Sequence, residues 1–268
     1  PGWERHGGQQ HLHRGHRDDG LLLEGCQGVR VEGNSVSAGV NGVAVRATGI
    51  GQGGNVIIGN ALLQQSGCGV LLGGSSPTEG DRVLNNTVSG AGGAGVRISF
   101  GTSEISGNTI SGCLVQGIVL EWTGSDVNCN TLANNTVGIF AGEGADGNVI
   151  RENLVQDGTV GVLIGPSQGN RVLNNTILRM DENSGAGIQI GMGEVGGGRI
   201  EGNNVSYCNE GLRAAPYPDE LWANTSIHMK SRSRLIVRWS VDSTSGEPRG
   251  QLTLVGQNTA NTWTMGSV

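Results

Sequence analysis

The side chains best suited to chemistry in this 268-residue chain lie between Phe100 and Asp146. Glu121 and Trp122 stand side by side, Phe100 lies 22 residues before Trp122, Glu143 lies 22 after Glu121, and Glu104, Asp126 and Asp146 are interspersed. Two carboxylates held about 5 to 9 Å apart are the arrangement of a glycosidase, which makes Glu121 and Glu143 candidate catalytic residues. An aromatic face beside acids can instead stack a sugar ring and grip its hydroxyls or a Ca²⁺ ion, so Phe100, Glu121, Trp122 and Glu143 are also the candidate carbohydrate-binding set, with Ca²⁺ as candidate cofactor. Catalysis has few other groups to draw on: from Gly20 to Ala214 there is no His and no Lys, leaving only Arg, Asp, Glu and Tyr207. Four of the five His sit at the start, at His6, His11, His13 and His16, a spacing able to hold a metal. The polar, Gly-rich segment 1–19 around them reads equally as a disordered tail.

What must position the acids is a repeat. Asn34, Asn60, Asn86, Asn108, Asn130, Asn153, Asn175 and Asn203 recur at spacings of 26, 26, 22, 22, 23, 22 and 28 residues. Three residues before each stands Val or Ile, from Val31 to Ile200; two after stands Val, Leu or Ile, from Val36 to Val205. A second strand opens eight to twelve residues later at Gly42, Gly69, Gly95, Gly117, Gly138, Gly161, Gly187 and Gly211, each followed by an apolar-x-apolar run. Period-two alternation and 50 Gly exclude helical repeats, and no Leu-x-x-Leu-x-Leu recurs. A parallel β-helix remains, its coils of about 22 residues stacked at about 4.8 Å. One coil buries four aliphatic side chains, worth roughly 6 to 12 kcal/mol, against roughly 22 to 44 kcal/mol of backbone ordering, so coils must stack and the Asn are expected to bond amide to amide along a ladder.

The Gly-Asn-Thr-Ile-Ser-Gly of Gly107 to Gly112, with its variants at Asn85 to Gly90 and Gly202 to Ser206, and the Gly-apolar-x-apolar runs resemble the right-handed parallel β-helix repeats of the pectate-lyase-like superfamily, most of all its NosD-type branch with CASH (carbohydrate-binding and sugar-hydrolase) domains. The resemblance covers about Gly20 to Ala214. It implies an extracytoplasmic β-helix, and its copper-linked NosD members suggest copper handling through the N-terminal His. The same coil serves lyases, hydrolases, epimerases, adhesins and non-catalytic surface proteins. The Asn-Thr-Asp, Asp-Asp and Gly-His-Gly set of polygalacturonases is missing from the repeats, as is the Asp-Pro-His-Glu of mannuronan epimerases.

The expected fold is therefore all-β: a disordered tail at 1–19, a single-stranded right-handed parallel β-helix of about eight coils at 20–215, and at 216–268 a linker with a partial Ig-like or regulatory-like β module, or a cap on the last coil. Leu235 to Val241 and Gln251 to Val255 are its expected strands. A net charge of −6 with one Lys excludes nucleic acid as partner, and no apolar run is long enough to span a membrane. Val119, Phe140 and Leu163 are expected to point outward as a partner-contact stripe. Two functions follow: a non-catalytic secreted, periplasmic or cell-surface rod associated with a polysaccharide or another surface component, or a polysaccharide lyase or glycoside hydrolase working through Glu121 and Glu143.

Overall fold

The computed structural model describes residues 11–13, 18–191, 195–196, 198–214, 226–231, 234–237 and 261–265. Each repeat forms one coil of three short strands, as in Asp126–Asn128, Thr131–Ala133 and Val137–Ala141 around Asn130. Equivalent strands pair in parallel and in register: Val127 faces Ile105 and Ile150, and Leu132 faces Ile110 and Val155. Among the described residues, strands before and after the asparagines make one 18-stranded sheet, and the Gly-opened strands a ten-stranded sheet. There are no helices among them. All sixteen aliphatic residues flanking the eight asparagines are buried, and with Val43, Leu72, Ile98, Leu120 and Ile139 they fill the lumen of a parallel β-solenoid.

The asparagines form a continuous ladder. Nδ2 of Asn34, Asn60, Asn86, Asn108, Asn130, Asn153 and Asn175 donates to Oδ1 of the Asn one coil on, at 2.9–3.0 Å. The backbone N–H of each donates to the same oxygen. From Asn60 onward, Nδ2 also donates to the carbonyl of the apolar residue in the preceding coil, from Val31 O to Val172 O. A buried amide thus has its donors and acceptor engaged, which is what lets a polar group stand in an apolar lumen.

The residue before each ladder Asn (Gly33, Gly59, Asn85, Gly107, Cys129, Glu152, Asn174, Gly202) is left-handed, with φ of 52–67°. So is the residue four after it, at Ala38, Gln64, Gly90, Gly112, Asn134, Asp157, Arg179 and Tyr207, with φ of 54–70°. These two corners turn the chain from one sheet column to the next. Stacking imposes them even on side chains that resist them, at roughly 1–2 kcal/mol each. Ala38→Gly is accordingly expected to raise stability by up to about 1 kcal/mol, after subtracting glycine's unfolded-state entropy. A denaturation midpoint no higher than that of the wild type would refute the strain.

The described ends extend the stack. His11–His13 pairs in parallel with Ser35–Ser37, Leu12 taking the register position of Val36, so the expectation of an unstructured tail over 1–19 is corrected at these residues. The column of apolar positions simply begins one coil earlier. His6 and His16 lie outside the described residues. At the other end Ser226–Ser231 pairs in parallel with Arg199–Ser206, and Arg234–Val237 with Glu210–Ala214. Asn261–Met265 then lies antiparallel on Ser226–Ser231. Gln251 to Val255 falls outside the described residues.

Candidate functional site

The acids and aromatics come together at one edge of the ten-stranded sheet. Ile98, Leu120 and Ala141 are in register on successive coils, and Glu121 N–H donates to Ile98 O while Gly142 N–H donates to Leu120 O. Continued by one residue the register aligns Ser99, Glu121 and Gly142; by two, it aligns Phe100 with Trp122, while Glu143 opens a turn two residues longer, after which Val149 pairs with Asp126. Phe100 and Trp122 accordingly pack together, with ring centroids 4.1 Å apart and planes tilted by 52°. Both rings are half-buried, and Glu143 on the next coil is exposed.

Glu121 differs from Glu143 in being engaged. Arg97 Nε donates to Glu121 Oε2 at 3.0 Å and Nη2 to Oε1 at 2.8 Å, a bidentate pair that raises the Arg97 guanidinium above its usual range. Both Glu121 oxygens therefore already accept from a cation, while Glu143 has no ion pair among the described residues. The other acids serve elsewhere. Asp126 is held bidentately by Arg151 at 2.8 and 3.1 Å, and Asp146 Oδ1 accepts from the Gln168 N–H at 2.7 Å. Glu104 is the register partner of Asp126 and of Arg82; among the described residues no ion pair joins it to Arg82.

Val119, Phe140 and Leu163 share a register column on the outer face of the ten-stranded sheet. As an open contact stripe the expectation is corrected at Val119, which is 4 % exposed and packs with Cys68 and Ala94, bordered by Leu71 and Phe140. Cys68 and Ala94, which precede the sheet-opening Gly69 and Gly95, face this side and cover what period-two alternation alone would leave bare. Phe140 and Leu163 are half-buried.

A second polar ladder has no counterpart in the sequence reading. The Val29 N–H donates to Asn55 Oδ1, and Asn55 N–H and Nδ2 both donate to Asp81 Oδ1. Farther on, Ser103 N–H donates to Ser125 Oγ, Ser125 N–H to Asn148 Oδ1 and Asn148 N–H to Asn170 Oδ1. Its weak point is in the middle. Asp81 and Ser103 are register partners beside a bulge at the left-handed Gly80, both are buried, and neither Asp81 Oδ2 nor Ser103 Oγ has a partner. Asp81→Asn keeps the shape and adds a donor aimed along the ladder toward Ser103. It is expected to stabilise the protein by about 1–2 kcal/mol, since an orphaned buried polar atom costs about that much. Loss of stability in the same denaturation measurement would refute this account of the gap.

Metal ligation finds no support in the described coils. Among the described residues no group of three or more His, Cys, Asp and Glu side chains is placed to hold a metal ion. Burial pushes the Cys113 thiol up to about 11 and raises that of Cys68, both away from the thiolate that would ligate.

With this geometry in place, comparison with known proteins adds the family. The model described as "Periplasmic copper-binding protein (NosD)" matches residues 10–127 and 101–247. The chain belongs to the NosD family. That family is periplasmic by description, which supports an extracytoplasmic location for this member. No curated protein matches it. Among solved structures, this NosD chain is similar to the Siphovirus 9NA tailspike receptor binding domain, at 16% identity and a TM-score of 0.60, over 86% of this chain and 49% of that one. It thus spans about half the tailspike structure. A periplasmic alginate epimerase, AlgG, matches at 13% identity and TM-score 0.40 over 78% of this chain and 61% of the other. PfbA, a surface adhesin of Streptococcus pneumoniae, matches at 11% and 0.35, over 90% and 66%. At 16% identity the likeness to the tailspike domain is one of fold.

The copper in the family's description does not fit the coils of this NosD chain. From residue 20 to 214 they carry no His, and the buried thiols and salt-bridged acids just described offer no ligand set, so no function is routed through copper on them. Among the described residues no helix is long and apolar enough to cross a membrane.

Proposed function

We propose that the protein is a non-catalytic extracytoplasmic rod that binds carbohydrate along the edge carrying Phe100, Trp122 and Glu143. The observation that carries this reading is the packed Phe100–Trp122 pair, with the exposed Glu143 carboxylate on the next coil. Aromatic side chains offer a large face for the C–H side of a sugar ring, and a carboxylate accepts strong hydrogen bonds from hydroxyls. Successive coils hold these groups at about 4.8 Å intervals on a rigid sheet edge, so they are pre-organised and little side-chain entropy is lost on binding. A tailspike receptor-binding domain is built on the same fold. Against hydrolysis or lyase chemistry stand the engagement of both Glu121 oxygens by Arg97 and the lack of His and Lys in the coils.

The test is to incubate the protein, with and without Ca²⁺, with a panel of polysaccharides, recording co-sedimentation, new reducing ends and unsaturated-uronate absorbance. Binding without product is expected, unaffected by Ca²⁺. Product formation that disappears in Glu121→Gln or Glu143→Gln would replace this reading with the enzymatic one.

A further inference from the structure

The charges around the aromatic edge bear on which glycan it takes. Five successive coils contribute their corner segments to this edge: residues 73–77, 99–101, 121–124, 142–146 and 165–166. Together these segments contain Glu121, Glu143 and Asp146 and not one Lys, Arg or His. The nearest cation along the chain, Arg97, is spent on Glu121, and Arg151 is spent on Asp126. Asp146 has one oxygen committed to the Gln168 N–H, and Glu143 stands exposed.

From this we infer that the edge binds an uncharged glycan and rejects polyuronates, a specificity that rests on the carbohydrate-binding reading above. A uronate polymer laid along it would bring a carboxylate on each sugar against Glu143 and Asp146, which no cation among the described residues neutralises, while Glu121 is already paired with Arg97. Like charges juxtaposed at a binding face cost affinity and slow encounter. A neutral polysaccharide meets no such penalty: its ring faces rest on Trp122 and Phe100, and its hydroxyls donate to the outward carboxylate of Glu143, the charge-assisted bond being stronger than one between neutral groups. Rejection is thus built from the same acids that provide the recognition.

The experiment measures affinity of the whole chain for a β-glucan, a mannan and a galactan on one side and for alginate and polygalacturonate on the other, at low and high salt. Trp122→Ala, Trp122→Phe and Glu143→Lys are compared with the wild type, their folding checked by circular dichroism. At least one neutral polymer should bind with little salt dependence, Trp122→Ala should weaken it by about tenfold or more, as loss of a central Trp does, and Trp122→Phe should restore much of it. Glu143→Lys should weaken neutral binding and let alginate or polygalacturonate bind at low salt. Polyuronate binding by the wild type at low salt, lost in Trp122→Ala, would overturn the specificity while leaving the site in place. If no glycan binds, or if binding is indifferent to Trp122, the site and its specificity both fall.

Discussion

Asn108→Ala is expected to cost the solenoid at least about 3 kcal/mol, far more than the loss of one hydrogen bond, because it orphans several buried groups at once. Asn86 loses the acceptor for its N–H at 2.9 Å and for its Nδ2 at 3.0 Å. Val83 O loses the amide that donates to it at 2.8 Å, and Asn130 Oδ1 loses its Nδ2 donor at 2.9 Å. None of these groups reaches water: Asn86 and Asn130 are each 1 % exposed. Asn34→Ala provides the control at the start of the ladder, where Asn34 is less buried and its loss takes only the Nδ2 donor from Asn60 Oδ1 and Glu32 O, the backbone N–H to Asn60 Oδ1 remaining; about 1 kcal/mol is expected there. Denaturant unfolding followed by circular dichroism gives both numbers. Equal, small losses at the two positions would mean that the ladder is ornamental and that apolar stacking alone holds the coils.

Gly117→Ala is the second large effect, expected at about 3 kcal/mol. A Cβ there would stand 2.5 Å from Leu132 Cδ2, 2.6 Å from Gly138 O and 3.1 Å from Asn135 Nδ2. The leucine can change rotamer, but the carbonyl belongs to the next coil's backbone and cannot retreat without breaking the sheet register. Gly138, Gly161 and Gly187 meet the same pair of obstacles, a core methyl group and the backbone oxygen of the coil ahead. Each sheet-opening glycine from Gly42 to Gly187 therefore marks an approach too close for any side chain. Gly49→Ala, whose added Cβ would meet only Gln52 Nε2 at 3.4 Å, should change stability by less than about 0.5 kcal/mol. If the two substitutions were equally tolerated, the close stacking of Gly117 on Gly138 would be wrong.

The coil was legible because in a solenoid a fixed spacing along the chain becomes a fixed column in space. Val127, Asn130 and Leu132 announce their neighbours Ile105, Asn108 and Ile110 by type as well as spacing, and the glycines announce the third strand. Where a column mixes residue types, the signal fades. Asn55, Asp81, Ser103, Ser125, Asn148 and Asn170 make a ladder that no single-letter pattern betrays, since a hydroxyl, a carboxylate and an amide each satisfy the same N–H. The left-handed corners are hidden for a related reason: Cys129, Glu152, Arg179 and Tyr207 have no preference for that conformation, and stacking overrides propensity. The strand Thr78–Leu84 starts five residues ahead of the apolar Val83 because it pairs with Gly101–Ser106 across the Gly80 bulge.

At the candidate site the sequence brought Phe100, Trp122, Glu121 and Glu143 to one edge, but which of them touch depended on a register known only to within a residue. That residue matters. It places Phe100 against Trp122 rather than Glu121. The Arg97–Glu121 pair was hidden as well, because Arg97 reaches the neighbouring coil from an outward position that looks merely solvated. Val119 shows the reverse failure: alternation assigns it to the outside correctly, yet Cys68 and Ala94 cover it there.

The most direct test of the account is to watch Trp122 itself while glycan is added. With the indole nitrogens labelled and the Trp122 resonance assigned by Trp122→Phe, titration with the neutral polysaccharide that binds best, cut to short oligomers, should move the Trp122 indole signal in proportion to occupancy. The indole signals of Trp222, Trp239 and Trp263 should stay in place. A Trp122 resonance unmoved when the protein is saturated would contradict the claim that this edge of the solenoid is where the protein meets carbohydrate.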